Sequence, residues 1–248
     1  MTITTYAALP PVQRVPGAGL QLAWREWNAG AAGPPLVLLH GITGSSRDWQ
    51  GTASLIRDRR VIAFDARGHG ESEWDPGEAY AVDMHFADLA IALDALEIEQ
   101  CVLAGFSMGG GVAILTAAAM PERVAALAVI DAYPHPEQTQ GSAGIARWVA
   151  SAAHETRWFD PAISRHFREL LAAGVATRAD LRGLWQAVAC ETVLVRGSES
   201  NVLPARLAAE MIASLPYARL ETLEGVGHPI PFRRPVELAA ILSSLGGR

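Results

Sequence analysis

Short segments of apolar residues recur along the chain and predict the strands of a buried sheet. Most of them are continuous apolar runs, which is typical of strands covered on both faces. They lie at residues 35–40, 60–65, 100–104, 124–130, 191–196 and 218–223. Residues 19–27 instead alternate between polar and apolar side chains, which predicts one or two strands of an opening hairpin.

Stretches with helical spacing separate these segments. The predicted helices span residues 46–56, 82–96, 108–120, 204–215 and 235–245. Strands that alternate with helices in this way favour a parallel sheet with helices packed on both faces. We therefore predict an α/β fold built on a doubly wound, mostly parallel sheet.

The pattern changes after Asp131, because residues 132–189 contain helical stretches and no strong strand. We predict that residues 1–131 and 190–248 form the core and that residues 132–189 form a small helical cap inserted after the sixth strand. Such an insertion crosses the sheet edge at which ligands bind in α/β folds. Its aromatic residues either line a pocket or only pack the cap onto the core. They are Trp148, Trp158, Phe159, Phe167 and Trp185.

Composition narrows the possible partners. Half of the 248 residues are hydrophobic and 19% are charged, which is enough for a sizeable core of one large domain. The net charge is −6 and no basic run occurs, so we expect neither nucleic acid nor a membrane as partner, but a small-molecule substrate. All 20 basic residues are arginine, which excludes lysine Schiff-base and P-loop chemistry for this sequence.

The same sequence indicates a reducing compartment. Cys101 and Cys190 stand apart at the starts of predicted strands, as small buried hydrophobic residues do. Residues 1–14 lack the basic and apolar parts of a signal peptide, and no apolar run approaches the ~20 residues of a membrane span. We expect a soluble, cytoplasmic protein.

A candidate nucleophile follows the predicted strand at residues 100–104. The segment Gly105-Phe-Ser107-Met-Gly109 has the form G-x-S-x-G and precedes a helix of small residues. In this setting the serine lies on a strained turn that exposes its hydroxyl above the sheet. The two glycines suit the close approach of strand and helix.

A serine hydroxyl needs a base to remove its proton during attack. His228 is the candidate, because the glycine-rich segment at residues 225–229 follows the last predicted strand, and a serine before a histidine is the chain order of sheet-borne serine hydrolases. His40 is expected to order its own loop. His69 and His85 are interpreted as structural or exposed, and His135, His154 and His166 as cap residues without an assigned role.

The tetrahedral intermediate of acyl transfer needs backbone N–H donors that face its oxyanion. Met108, directly after the candidate nucleophile, is expected to supply one of them. The loop at residues 40–44, which follows the first buried strand, is expected to supply the other from Ile42.

Taken together, the motifs resemble the α/β-hydrolase superfamily of the lid-bearing type. They are HGITGSSRDW at residues 40–49, FDARGHGES at 64–72, GFSMGG at 105–110 and GVGH at 225–228. The resemblance implies an eight-stranded, mostly parallel sheet with a helical lid after the sixth strand, and we expect neither a cofactor nor a metal. A serine nucleophile disfavours the dehalogenase and epoxide-hydrolase branches. It leaves carboxylesterases, lactonases, thioesterases, carbon–carbon bond hydrolases and cofactor-free perhydrolases.

One position departs from the family pattern, in which an aspartate after the seventh strand completes the triad. Here Asn201 occupies that place. Three interpretations stay open. Asp131, at the end of the sixth strand, supplies the carboxylate; Asn201 orients the histidine in a slow, non-hydrolytic or engineered enzyme; or Glu199 reaches in from two residues away.

These observations favour a serine hydrolase that acts on a small, largely apolar ester, thioester, lactone or ketone through an acyl-enzyme. Two other classes stay open. The missing aspartate favours a fold relative with non-hydrolytic chemistry, such as a lyase, cyclase or cofactor-free oxygenase, or a weakened variant. A binding protein that has lost catalysis is the remaining class. The oligomeric state does not follow from the sequence.

Overall fold

The computed structural model describes residues 8–134, 140–151, 158–174 and 180–247. Within these residues eight strands form one sheet in the order β1-β2-β4-β3-β5-β6-β7-β8. The strands are β1 (Gln13–Pro16), β2 (Gln21–Trp27), β3 (Leu36–Leu39), β4 (Val61–Phe64), β5 (Cys101–Phe106), β6 (Val124–Ile130), β7 (Glu191–Gly197) and β8 (Ala218–Leu223). β1 and β2 pair in the antiparallel direction, whereas β3 to β8 run parallel, so the predicted mostly parallel α/β sheet is confirmed.

The strand order places two important loops side by side. The chain crosses from β3 to β4 on one side and then returns to pair β5 on the other side of β3. This reversal is a topological switch point, and the carboxyl ends of the two strands beside it form the usual ligand crevice of such sheets. The loop after β3 and the turn after β5 therefore meet at the same edge.

Helices cover both faces of the sheet. They are α1 (Gln50–Ala53), α2 (Val82–Ala95), α3 (Met108–Ala119), α4 (Gln140–Ser151), α5 (Pro161–Ala173), α6 (Arg182–Ala187), α7 (Ala205–Ser214), α8 (Ile230–Arg233) and α9 (Pro235–Ser243). Consecutive residues of β5 point to opposite faces, so that Leu103 packs in one hydrophobic cluster and Val102 and Ala104 in the other. Burial on both faces explains why this strand is a continuous apolar run.

Most predicted boundaries differ from the structure by one or two residues, and two elements differ by more. The opening hairpin begins earlier than predicted, because its turn lies at residues 17–19, where Gly19 has φ of 81° and glycine adopts this conformation readily. The helix predicted at residues 46–56 is a 3₁₀ turn at Ser46–Trp49 followed by the short α1. Ser45 caps this turn through its side chain, together with Asp48.

The described helices between β6 and β7 fall into two groups. α4 and α5 pack on each other through a small cluster that contains Val149 and Ile163. α6 instead packs on α3, and its Trp185 is buried in the larger core cluster and donates to the carbonyl of Met211. We propose that residues 132–189 form a cap over the sheet edge, with α6 as its attachment to the core. None of the helices in the described ranges combines the length and apolar character that crossing a bilayer requires.

Candidate active site

Ser107 lies in the single-residue turn between β5 and α3. Its backbone has φ of 53° and ψ of −116°, in the left-handed region that non-glycine residues rarely adopt. Two main-chain hydrogen bonds hold this geometry: Ser107 N–H donates to the Ile130 carbonyl, and Gly110 N–H donates to the Ser107 carbonyl. Strain of this kind persists where surrounding structure enforces it, and it is concentrated at functional sites.

The glycines on either side of Ser107 have no room for a side chain. A Cβ atom at Gly105 would lie 2.1 Å from the carbonyl oxygen of Gly109. A Cβ atom at Gly109 would lie 2.4 Å from the carbonyl oxygen of Leu39, at the end of β3. The close approach of β5, α3 and β3 therefore requires the two glycines of the G-x-S-x-G segment.

The structure brings Ser107, His228 and Asp131 into one hydrogen-bonded chain. His228 Nε2 lies 3.1 Å from Ser107 Oγ, and His228 Nδ1 lies 2.7 Å from Asp131 Oδ2. Because a carboxylate accepts from Nδ1–H, Nε2 of the neutral ring is left as the acceptor that faces the serine hydroxyl. The His228 ring also packs on Phe106, with ring centroids 4.8 Å apart.

The Asp131 carboxylate is fully buried and has three hydrogen-bond partners. Besides His228, Oδ2 accepts from the Ser200 hydroxyl at 2.6 Å, and Oδ1 faces the Gly197 N–H at 3.3 Å. Asp131 has φ of 46° and, like Ser107, lies in the left-handed region. Buried carboxylates need such donors, since desolvation without partners costs several kcal/mol or more.

Asn201 and Glu199, the two other candidates for the third position, are not brought to the histidine. Both are exposed, and the hydrogen bonds of the His228 ring within the described residues go to Ser107 and Asp131. The physical reason is position in the sheet: Asp131 directly follows β6, and β6 pairs with β5, which Ser107 follows. The geometry thus places Asp131, and neither Asn201 nor Glu199, beside the Nδ1 atom of His228.

Ser200 is a residue that the sequence analysis missed. The last residue of β7, Gly197, supplies an N–H group to Asp131, and the turn after β7 supplies the Ser200 hydroxyl and not an acid. The same hydroxyl oxygen accepts from the N–H groups of Val202 and Leu203, which fixes the turn. The available signal was the serine that precedes Asn201, which has few uses in a buried turn unless its hydroxyl is bonded.

Removal of the Ser200 hydroxyl should slow, but not abolish, a reaction in which Ser107 is the nucleophile and His228 the base. We expect Ser200→Ala to lower kcat about tenfold with little change in KM, since a hydrogen bond to a charged group contributes about 1.5–3 kcal/mol and Gly197 still holds the other oxygen. Steady-state kinetics measure the effect. Ser200→Thr is the matched control, because it keeps a hydroxyl and should recover most of the rate. Equal kcat values for wild type and Ser200→Ala would show that Asp131 needs no such support.

The loop after β3 contributes Ile42, which lines a cavity of about 500 Å³ together with Ser107 and Met108. Among the hydrogen bonds of the described residues, none uses the N–H of Ile42 or of Met108 as donor. His40 ties this loop in place: its Nδ1 lies 2.7 Å from the Gly41 carbonyl oxygen, and its Nε2 accepts from the Ala66 N–H at 2.9 Å. Ile42 and Met108, whose N–H groups donate no hydrogen bond within the described residues, thus line the same cavity as the serine.

The remaining histidines are placed as follows. His69 and His85 are buried and line the cavity, so the alternative in which they are exposed is wrong. His166 also lines the cavity, whereas His135 and His154 lie outside the described residues.

The rest of the cavity wall is mostly apolar. Contributions from the core include Val112, and those from the helices between β6 and β7 include Ile145, Ile163, Phe167 and Leu170. No group of three or more potential metal ligands occurs in the described part of the chain.

The aromatic residues between β6 and β7 serve different purposes. Phe167 lines the cavity, and Phe159 and Trp185 are buried in packing clusters. Trp158 is exposed and lies against the Arg47 guanidinium, while the side chain of Trp148 falls outside the described residues. Both interpretations of these aromatics therefore hold, for different members of the set.

Comparison with known proteins agrees with this architecture. A family model described as the alpha/beta hydrolase fold matches residues 34–152. An sn-1-specific diacylglycerol lipase ABHD11 of Xenopus laevis is 37% identical over 135 residues, which are 53% of this chain and 42% of that protein. The chain thus spans less than half the length of that relative. Lipase LipV of Mycobacterium tuberculosis is 28% identical over an alignment of 256 positions, which covers 88% of this chain and 96% of the lipase.

A solved structure extends the similarity over nearly the whole chain. An alpha/beta hydrolase from Novosphingobium aromaticivorans superposes with a TM-score of 0.77 and 26% sequence identity, covering 96% of this chain and 99% of that one. The eight-stranded sheet, the serine turn after β5 and these matches lead to one conclusion. The chain has the α/β-hydrolase fold.

Proposed function

We propose that this protein is a serine hydrolase that cleaves small, largely apolar carboxylic esters, or the related thioesters and lactones, through a covalent acyl-enzyme. One observation carries the proposal: the hydrogen-bonded chain of Asp131, His228 and Ser107 opens on a cavity large enough for a small ester.

The geometry suits nucleophilic catalysis by the serine. Ser107 Oγ attacks the ester carbonyl carbon while His228 Nε2 takes the hydroxyl proton, and Asp131 stabilises the resulting imidazolium. His228 then gives this proton to the departing alkoxide, and the acyl group stays on Ser107. A water molecule, deprotonated by the same ring, releases the carboxylic acid and regenerates the serine.

The oxyanion of each tetrahedral intermediate needs donors that are in place before the reaction. We assign this role to the N–H groups of Ile42 and Met108, which border the cavity beside Ser107 and make no other hydrogen bond within the described residues. Met108 begins α3, so the partial positive charge of the helix N-terminus adds to its effect.

The ester class rests on the cavity and on the relatives. An apolar wall with few charged groups favours uncharged acyl and alcohol parts. Two of the relatives carry the name lipase, which supports a carboxylic ester as the bond that is cleaved. The non-hydrolytic alternative rests on the missing aspartate after β7. The Asp131 carboxylate, 2.7 Å from His228 Nδ1, supports the hydrolytic proposal instead.

The proposal is tested with p-nitrophenyl butyrate and a serine-directed fluorophosphonate. We expect release of p-nitrophenol, and loss of this activity when one equivalent of phosphonate is bound. Peptide mass spectrometry should place the phosphonate adduct on Ser107. A protein that neither hydrolyses the ester nor reacts with the phosphonate at Ser107, while it melts cooperatively, would contradict the proposal.

A further inference from the structure

The first turn of α3 contains three consecutive glycines, and packing explains two of them. A Cβ atom at Gly109 would lie 2.4 Å from the Leu39 carbonyl oxygen, and a Cβ atom at Gly110 would lie 2.5 Å from the Cβ atom of Ala132. Both distances are too short for any side chain. Gly109 and Gly110 therefore allow α3 to pack closely against the segments that follow β3 and β6.

Gly111, the third glycine, meets no such restriction. A Cβ atom there would lie 3.5 Å from Leu181 Cδ1 and 4.0 Å from Val82 Cγ2, which are ordinary van der Waals distances. The backbone does not require glycine either, because Gly111 lies within α3 and is not among the glycines with positive φ. Glycine is less favourable than alanine inside a helix, so Gly111 weakens α3 without a reason in its packing against the described residues.

The position of Gly111 shows what a side chain there would change. Met108, Gly111 and Val112 share one face of α3, because residues three and four apart are neighbours on a helix, and all three line the candidate active-site cavity. Val82 and Leu181, which a Cβ atom would contact, line the same cavity. A side chain at position 111 would therefore take up space at the cavity wall, between Val82 and Leu181.

The surroundings of Gly111 suit an alkyl chain. Its neighbours Val82 and Leu181 are aliphatic, and Gly111 itself is half-buried at the cavity wall. Gly111 lies three residues after Met108, the proposed oxyanion donor, which is about 4.5 Å along the helix axis. A chain attached to the ester group thus reaches Gly111 within a few carbon atoms, and its methylene groups gain binding energy from burial there.

We propose that Gly111 is a specificity-determining residue, whose missing side chain leaves room for an alkyl chain of the ester between Val82 and Leu181. The inference rests on the proposed ester hydrolysis and adds to it the residue that limits chain length. In the wild type the chain lies against the backbone of Gly111. Alanine at this position shortens the longest chain that fits, and valine shortens it further.

The test compares two series of esters, because the chain can lie on either side of the scissile bond. One series is p-nitrophenyl acetate, butyrate, hexanoate and octanoate. The other is methyl, butyl, hexyl and octyl acetate. We expect the wild-type kcat/KM in one series to be at least about tenfold higher for the preferred chain than for the shortest one, since methylene groups that fit an apolar pocket give selectivity of this size.

Variants then assign the chain-length preference to position 111. Gly111→Val should lower the long-to-short ratio of kcat/KM at least about tenfold, and Gly111→Ala should lower it to a smaller extent. Gly183→Val is the matched control and should keep the wild-type ratio. Gly183 is an exposed glycine of α6 that does not line the cavity, and a Cβ atom there would have no described neighbour within 4 Å.

The melting temperature separates lost space from lost packing. Gly111→Ala should melt about 2–4 °C above the wild type, because alanine is the better helix former and its Cβ atom fits. A melting temperature below that of the wild type would show that packing requires the glycine, which overturns the inference. The alanine variant also keeps the test decisive if Gly111→Val fails to fold.

The failures of the inference and of the proposed function are distinguishable. If the wild type hydrolyses the esters but prefers the shortest chain in both series, no chain lies against Gly111 and the inference is overturned, while the proposed function stands. A wild-type ratio in the folded Gly111 variants overturns it as well. If no ester in either series is hydrolysed, the proposed function fails and the inference fails with it.

Discussion

Asp131→Asn should lower kcat by about 10⁴, since that is the loss that the same replacement causes in another serine hydrolase triad. The amide keeps the shape of the side chain but loses its charge, and its NH₂ group can turn toward His228 and favour the wrong tautomer of the ring. Burst and steady-state kinetics with p-nitrophenyl butyrate measure the effect. Retention of the melting temperature within a few degrees would assign the loss to chemistry.

Asn201→Asp is the matched control for this replacement. It restores the acid at the position where the superfamily usually has one, but Asn201 is exposed and no described hydrogen bond joins it to His228. We therefore expect kcat to change by less than about threefold, as for a surface substitution of small energy. If Asn201→Asp instead raised kcat by orders of magnitude and Asp131→Asn left it unchanged, Asp131 would not be the triad acid.

Ser107→Ala should have the largest effect, a fall in kcat of about 10⁶, which is the loss expected when the nucleophile of a triad is removed. The residual rate would come from the oxyanion donors and from substrate binding. Hydrolysis of p-nitrophenyl butyrate is the measurement, with the fluorophosphonate label as a second readout that should disappear. Alanine keeps the Cβ atom, so the backbone at φ of 53° is no more strained than in the wild type.

The control for Ser107→Ala is binding without turnover. The variant should still bind a non-hydrolysable ester analogue, because the cavity wall is unchanged. A Ser107→Ala protein that retains a tenth or more of the wild-type kcat would contradict the assignment of the nucleophile.

Much of the fold could be predicted because its signals are local. The core strands are apolar runs bounded by turn residues, and β6 and β8 begin and end where the pattern predicts them. The serine turn is equally local, since the two glycines and the serine lie within five residues. Chain order then selected His228 as the partner of Ser107.

The third triad position could not be settled from sequence because it depends on where two loops meet. Asp131 and Asn201 both follow strands whose ends lie at the same edge of the sheet, and the sequence does not say which side chain turns toward His228. The decision depends on the left-handed backbone of Asp131 and on the donors from Gly197 and Ser200. None of these is visible as a pattern along the chain.

The sequence left open whether His69 is buried or exposed, for a related reason. His69 lies in a segment rich in turn residues, which favours exposure by composition alone. In the structure this segment pairs with residue 159, in an isolated bridge between His69 and Phe159, and the pairing covers the ring. His69 is buried through a contact with a residue 90 positions away, and the sequence around His69 does not indicate that contact.

All three members of the hydrogen-bonded chain come from strands of the sheet or the loops directly after them, whereas Ile145, Ile163, Phe167 and Leu170 of the cavity wall come from helices α4 and α5. Under the proposed function, the reacting groups and this part of the cavity wall are thus encoded in separate stretches of the gene. Replacements in α4 and α5 can change which acyl or alcohol groups fit without disturbing the reacting atoms. Under the proposed function, new substrate preferences can therefore arise through changes in these two helices while Ser107, His228 and Asp131 are retained.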